Sequence, residues 1–232
     1  MHTFSPSPNW SDLFFGLLSA VQRPCANKAP WCSKNKEAIW FLGGTAILTH
    51  IARACSNDLG TRLPTMWFPD YFCNSATRGL RGIGAEVRYY PITSALEPNW
   101  PAIDDILKHQ APPDVFLLVH YFGKVVDATR AAAFCKNTGA LLIEDAAHAL
   151  IAHGDMGCRG DAIFHCPHKV LAAPDGAILL HRHPLLTPSV FGEQQRGDVP
   201  STWLAKRIVQ KLLPAAVMRY RVRQLPEFAI DL

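Results

Sequence analysis

The sequence predicts an α/β fold, a mostly parallel sheet with helices on both faces in an α-β-α sandwich. Three observations carry the prediction. Apolar strand-like runs alternate with helical stretches between residues 39 and 185. Several runs are apolar along their whole length, as strands covered on both faces are. Glycine- and proline-bearing turns separate the runs.

The elements follow in order. IWFL (39–42) is a short apolar run that enters a Gly43-Gly44 turn. Ala46, Leu48, Ile51 and Ala52 then recur at helical spacing. NDLG (57–60) stops that helix. PTMWF (64–68) is the next strand, and a helical segment is expected from about 73 to 83. VRYYPI (87–92) reads as a strand, and PAIDDILKH (101–109) as a helix with Pro101 in its first turn. DVFLLVH (114–120) is a nearly continuous apolar strand. DATRAAAFCKN (127–137) is a helix closed by Gly139, and ALLIED (140–145) a buried strand ending in two acids. DAIFH (161–165) and GAILLH (176–181) complete the strands. An amphipathic basic helix is expected over 200–225, broken at Pro214. The organisation is thus an irregular segment (1–38), a sheet domain (39–190) and a helical segment (191–232) that needs a further surface to pack on.

Composition bounds the function. The 232 residues are 49% apolar, which excludes a mostly disordered chain. The net charge of +4 is mild and its lysines and arginines are scattered, which argues against nucleic acid or a membrane surface as partner. No apolar run approaches the roughly 20 residues of a membrane span. The apolar patch at 13–21 lacks a basic stretch before it and follows Asp12, unlike a secretory signal. Seven irregularly spaced cysteines read as reduced thiols, which implies a cytoplasmic protein.

In sheets of this kind ligands sit outside the carboxyl ends of the strands. Glu144 and Asp145 close a buried strand there, and small residues and then His148 follow. An acid at that place either binds a ligand or simply caps the next helix. Lys169 lies between two short strands and is either an ordinary surface lysine or a Schiff-base lysine. Gly43-Gly44-Thr45-Ala46 precedes a helix, where backbone N–H groups and the positive helix end suit a phosphate. A phosphate cradle, a strand-end acid and a loop lysine are together the parts of a pyridoxal 5'-phosphate enzyme. The acid keeps the pyridine nitrogen protonated and the lysine carries the aldehyde as an imine.

At these positions the sequence resembles the DegT/StrS-type sugar aminotransferases, pyridoxal phosphate enzymes of the aspartate-aminotransferase-like fold type I. The resemblance covers about residues 39–185. Its segments are GGTAIL (43–48), FPDYFCNSATRGLRGIGAEV (68–87), HYFG (120–123), IEDAAHA (143–149) and GDAIFHCPHKVLAAPDGA (160–177). It implies that Lys169 forms the internal aldimine and shuttles the proton, and that Asp145 pairs with the pyridine nitrogen. It places His148 near the phenolic oxygen, Gly44, Thr45 and Ala46 on the phosphate, and an aromatic at Tyr71 or Phe72 on the ring. It further implies transamination of a nucleotide-linked keto sugar with an amino-acid donor, in a homodimer, for amino-sugar or polysaccharide synthesis.

The chain also departs from the family. Cys166 stands where a phosphate-binding serine is usual, and a thiol is the weaker hydrogen-bond donor. Cys73 falls where some relatives have the stacking aromatic, and Ala177 replaces a glycine. Family members continue into a small C-terminal domain beyond the point corresponding to Leu232. Hence a second expectation, a truncated and weak or inactive member kept as an assembly partner. A metal site is not expected: Cys158, His165, Cys166, His168, His181 and His183 cluster without the spacing of a zinc site.

Overall fold

β1 (Glu37–Phe41), β2 (Thr65–Pro69), β3 (Glu86–Tyr90), β4 (Val115–Val119), β5 (Leu141–Asp145), β6 (Ala162–His165) and β7 (Ala177–His181) form one sheet in the order β1-β7-β6-β5-β4-β2-β3. The computed structural model describes residues 8–11, 13, 31, 36–58, 60, 62–171, 173, 175–187 and 201–212. Its helices are α1 (Gly44–Asp58), α2 (Arg78–Gly82), α3 (Trp100–Ile106), α4 (Thr129–Thr138) and α5 (Ser201–Leu212).

The pairings β3-β2, β2-β4, β4-β5 and β5-β6 are parallel. β7 runs antiparallel to both β6 and β1. The mostly parallel sheet is therefore present, with one antiparallel strand, β7, between β1 and β6, which the apolar runs did not distinguish.

Side chains alternate across each strand, so β4 feeds two cores. Val115, Leu117 and Val119 join Met66, Phe68, Ile143, Phe164 and Leu179 beneath Ile47, Leu48 and Ile51 of α1 and Leu80 of α2. Phe116 and Leu118 join Trp67, Tyr90 and Leu142 beneath Ile103 of α3 and Ala131 and Cys135 of α4. Helices thus cover both faces. In the second core the Tyr90 and Phe116 rings stack at 4.6 Å, and the buried Tyr90 hydroxyl donates to the Leu117 carbonyl at 2.7 Å. Burying a side chain of this size contributes about 1.5–3 kcal/mol.

Local signals set the helix ends. Asn99 accepts from the Ala102 amide at the start of α3, with Pro101 in the first turn. Gly139 ends α4 in the left-handed conformation at φ 78°. The helix expected over 73–83 is instead a 3₁₀ turn, Asn74–Thr77, followed by the five-residue α2. Polar side chains there bond locally: the Thr77 hydroxyl donates to the Asn74 carbonyl, and Cys73 Sγ lies 2.9 Å from Ser75 Oγ. Such bonds compete with a regular helix. Gly79 is required where α2 meets α1, because a Cβ on it would lie 2.4 Å from Thr49 Oγ1.

The chain divides into two compact units, residues 26–196 with 1–5, and residues 6–25 with 197–232. Within the second, Leu13 and Leu204 are buried and Lys211 sits over the Trp10 ring at 5.7 Å. The helix expected over 200–225 is described as α5 to Leu212, and the rest of that stretch lies outside the described residues. Among the described residues no helix is long and apolar enough to cross a membrane.

Candidate functional site

β5 delivers Asp145 to the carboxyl edge of the sheet. The backbone there is fixed from both sides, since Asp145 O accepts from the His120 amide and the next amide, Ala146, donates to Phe164 O, both at 2.9 Å. Asp145 is only 6% exposed. Its Oδ1 accepts from the Ala147 amide at 2.8 Å, and Oδ2 takes no hydrogen bond from the described residues. Burial pushes its pKa up, while the charge of Lys169 and the Ala147 amide pull it back.

Lys169 closes the 3₁₀ turn Pro167–Lys169 after β6, with its amide bonded to Cys166 O at 2.9 Å. Its side chain is exposed. Its positive charge acts on Asp145, His148, Cys166 and Cys73. Side chains at or beyond the ends of β2, β5 and β6 thus lie within electrostatic reach of one lysine.

His148 is held by the turn after β4. Phe122 N–H donates to His148 Nδ1 at 3.4 Å, and the two rings stack at 5.7 Å and 8°. The residue is solvent-accessible, yet protein crowded around the imidazole lowers its pKa, and the charge of Lys169 lowers it further.

The first turn of α1 carries Gly44, Thr45 and Ala46. Thr45 Oγ1 reaches Ser75 O at 3.5 Å, and Ala46 packs its side chain towards the core. A Cβ on Gly44 would lie 3.5 Å from Cys166 Sγ, whose sulfur faces the Gly44 amide. Burial pushes the Cys166 thiol up to about 12, so it is neutral beside the cradle and does not repel an anion.

Of the two aromatic candidates, Phe72 packs against the core, its ring 5.0 Å from Phe68. Tyr71 is 61% exposed, with its ring 5.7 Å from Tyr121 and its carbonyl bonded to the Tyr121 hydroxyl at 2.6 Å. Cys73, next in the chain after these two, is exposed. Burial raises its pKa, but hydrogen bonds from Ser75 and Ala76 and the charge of Lys169 outweigh that and leave it lowered.

The partner acid, Glu144, points away from this cleft because adjacent strand residues face opposite ways. It is fully buried and accepts from His120 Nε2 at 2.8 Å, from the Gly157 and Gly160 amides at 2.6 Å and from Arg159 N at 3.3 Å. The carbonyls of the same loop face cations: Gly157 O accepts from Lys36 Nζ at 2.5 Å and Cys158 O from Arg182 at 3.0 Å. Sequence reasoning missed this clamp. Its only signal was the alternation that separates neighbouring strand side chains.

Three histidines of the Cys158–His183 cluster bond to the backbone. His165, His168 and His181 each face a backbone carbonyl, those of Ala149, Gly176 and His183. Among the described residues no three His, Cys, Asp or Glu gather to hold a metal ion.

Residues 101–192 match the model of the DegT/DnrJ/EryC1/StrS aminotransferase family. The chain is related to this family. It is 30% identical over 222 residues to a dTDP-4-dehydro-2,3,6-trideoxy-D-glucose 4-aminotransferase of Saccharopolyspora spinosa, covering 83% of this chain and 55% of that protein. The chain thus spans about half the length of this curated relative. Two solved structures share its fold. DesI in the presence of its TDP-sugar product superposes with a TM-score of 0.63 at 18% identity, over 94% of this chain and 62% of that one. NtdA from Bacillus subtilis with bound cofactor PMP gives 0.59 at 16% identity, over 80% and 47%.

Proposed function

We propose that this chain is the cofactor-binding part of a pyridoxal-phosphate-dependent aminotransferase that acts on a nucleotide-linked keto sugar. The observation that carries the reading is that the buried Asp145 ends β5 and Lys169 follows β6, its parallel neighbour, with Asp145, His148, Cys166 and Cys73 all within reach of the lysine's charge. The Saccharopolyspora relative supports the substrate class, and the family match supports the reaction.

The residues fit the cofactor by their chemistry. When bound, it supplies an electron sink. Asp145 is a buried carboxylate with one oxygen left over, suited to keep a proton on a ring nitrogen. Lys169 is the amine that would hold the cofactor and carry a proton at Nζ. Gly44, Thr45 and Ala46 would bind the phosphate at the positive end of α1, and Cys166 would sit beside it as a neutral contact. Tyr71 is the aromatic exposed at the cleft, whereas Phe72 serves the core. An amino acid is the amino donor and the working unit a cytoplasmic homodimer, on the strength of the family resemblance.

The purified chain mixed with pyridoxal phosphate is expected to gain a visible absorbance band. Borohydride should bleach it and leave the cofactor's mass on the peptide containing Lys169. Lys169→Ala should remove both signals. A wild-type chain that stays colourless overturns the reading and favours the alternative, a non-catalytic assembly partner whose cofactor site has decayed at Cys73 and Cys166.

A further inference from the structure

Phe122 breaks two habits at once. It is a bulky non-glycine residue at φ 54°, ψ 23°, in the left-handed region that L side chains rarely adopt. It is also a large apolar side chain left 71% exposed. A strained, exposed aromatic persists only where the surrounding structure holds it. What holds it here is His148.

Three contacts join the turn after β4 to His148. The Phe122 ring lies parallel to the imidazole at 5.7 Å. The Phe122 amide donates to Nδ1 at 3.4 Å. Gly123, at φ 79°, runs alongside the His148 backbone, where a Cβ on it would be in ordinary contact with His148 O at 3.6 Å. The amide belongs to the preceding peptide plane, so a helical or extended φ at Phe122 would turn the ring away from the imidazole relative to that amide, and the left-handed backbone is what allows ring and amide to act together.

An amide can only donate. Nδ1 must therefore accept and carry no proton, and the single proton of the neutral ring lies on Nε2. Protonating Nδ1 would set two donors face to face. We infer that Phe122 is a positioning residue: its strained backbone and its ring fix His148 as the Nε2–H tautomer, so that this histidine offers the site a hydrogen-bond donor and not a base. The inference rests on the reading of His148 as a site residue, and it assigns that residue one protonation form.

The test uses imidazole nitrogen shifts of the ¹⁵N-histidine-labelled chain without cofactor, with His148 assigned by its loss in His148→Gln. The wild type should show two widely separated shifts at neutral pH, the unprotonated one belonging to Nδ1. Phe122→Ala keeps the backbone strain but loses the ring that offsets it, so the turn relaxes and the two shifts move towards their average. Phe122→Tyr restores the separation. Phe122→Leu replaces the alanine variant should that one fail to fold. A single Nε2–H tautomer that survives in Phe122→Ala or Phe122→Leu overturns the inference, as does an Nδ1–H tautomer in the wild type. Because no cofactor is added, its failure is distinct from that of the aminotransferase reading, which the absorbance band decides.

Discussion

The Nε2 of His120 donates to Oε2 of Glu144 at 2.8 Å, and both side chains are fully buried. The direction is set by the other ring nitrogen, because Nδ1 accepts from the Val126 amide at 3.1 Å. The pair joins the ends of β4 and β5 to the loop 157–160, and the His120 amide bonds the carbonyl of Asp145. Glu144→Ala would strand the His120 donor and the amides of Gly157, Arg159 and Gly160 without that partner. The expected cost is about 3 kcal/mol or more, the range seen when one member of a buried pair is removed. Urea unfolding checks this. A loss under about 1 kcal/mol would mean that water takes over the role of the carboxylate.

The same carboxylate makes stability depend on pH. Burial raises the Glu144 pKa, but the His120 bond and the Gly157 and Gly160 amides outweigh burial and leave it below its ordinary value of 4.5. A depressed folded-state pKa adds stability that is complete above the unfolded value and is lost as pH falls towards the folded one. Stability should therefore decline with acidification from the ordinary carboxylate range downward. Glu144→Gln should flatten that part of the profile while lowering stability at neutral pH. Chemical denaturation at a series of pH values reads both effects. Parallel profiles for the two proteins would remove Glu144 as the cause.

Asp145 has the opposite sign. Its folded pKa is raised by burial despite Lys169, so the charged form costs stability as pH rises through the carboxylate range. Asp145→Asn removes the charge and keeps an oxygen for the Ala147 amide. The variant should be as stable at neutral pH as the wild type or more stable, by up to about 1 kcal/mol, while binding pyridoxal phosphate more weakly, so that a given concentration yields a fainter absorbance band. A fainter band together with a clear drop in melting temperature would instead make Asp145 a structural residue.

Much of this was legible in the residues. VFLLV and LLIED could only be strands covered on both faces, and Lys169, Asp145 and His148 follow strand ends, where α/β sheets place their ligands. Other features were hidden for physical reasons. β7 is as apolar as its parallel neighbours, and only its short connection from His165 to Ala177 signals that it runs antiparallel. Glu144 and Asp145 are neighbours in sequence but opposite in direction. The left-handed turn at Phe122 carries no composition signal, because phenylalanine is not a residue that announces such a backbone.

Cys166 offers the last test. Its thiol is 1% exposed, lies against Gly44 in the first turn of α1, and is kept neutral by burial. A hydroxyl at the same place donates a stronger hydrogen bond than a thiol. Cys166→Ser should thus bind pyridoxal phosphate more tightly, by about fivefold if one ordinary hydrogen bond of about 1 kcal/mol is gained. The cradle is apolar on its other side, where Phe164 faces Gly44, so the buried hydroxyl should cost the cofactor-free fold about 1 kcal/mol. Tighter cofactor binding on a slightly weaker fold is the expected pattern, read by absorbance titration and melting temperature. Unchanged affinity with the same loss of stability would show that Cys166 packs the base of α1 without touching the phosphate.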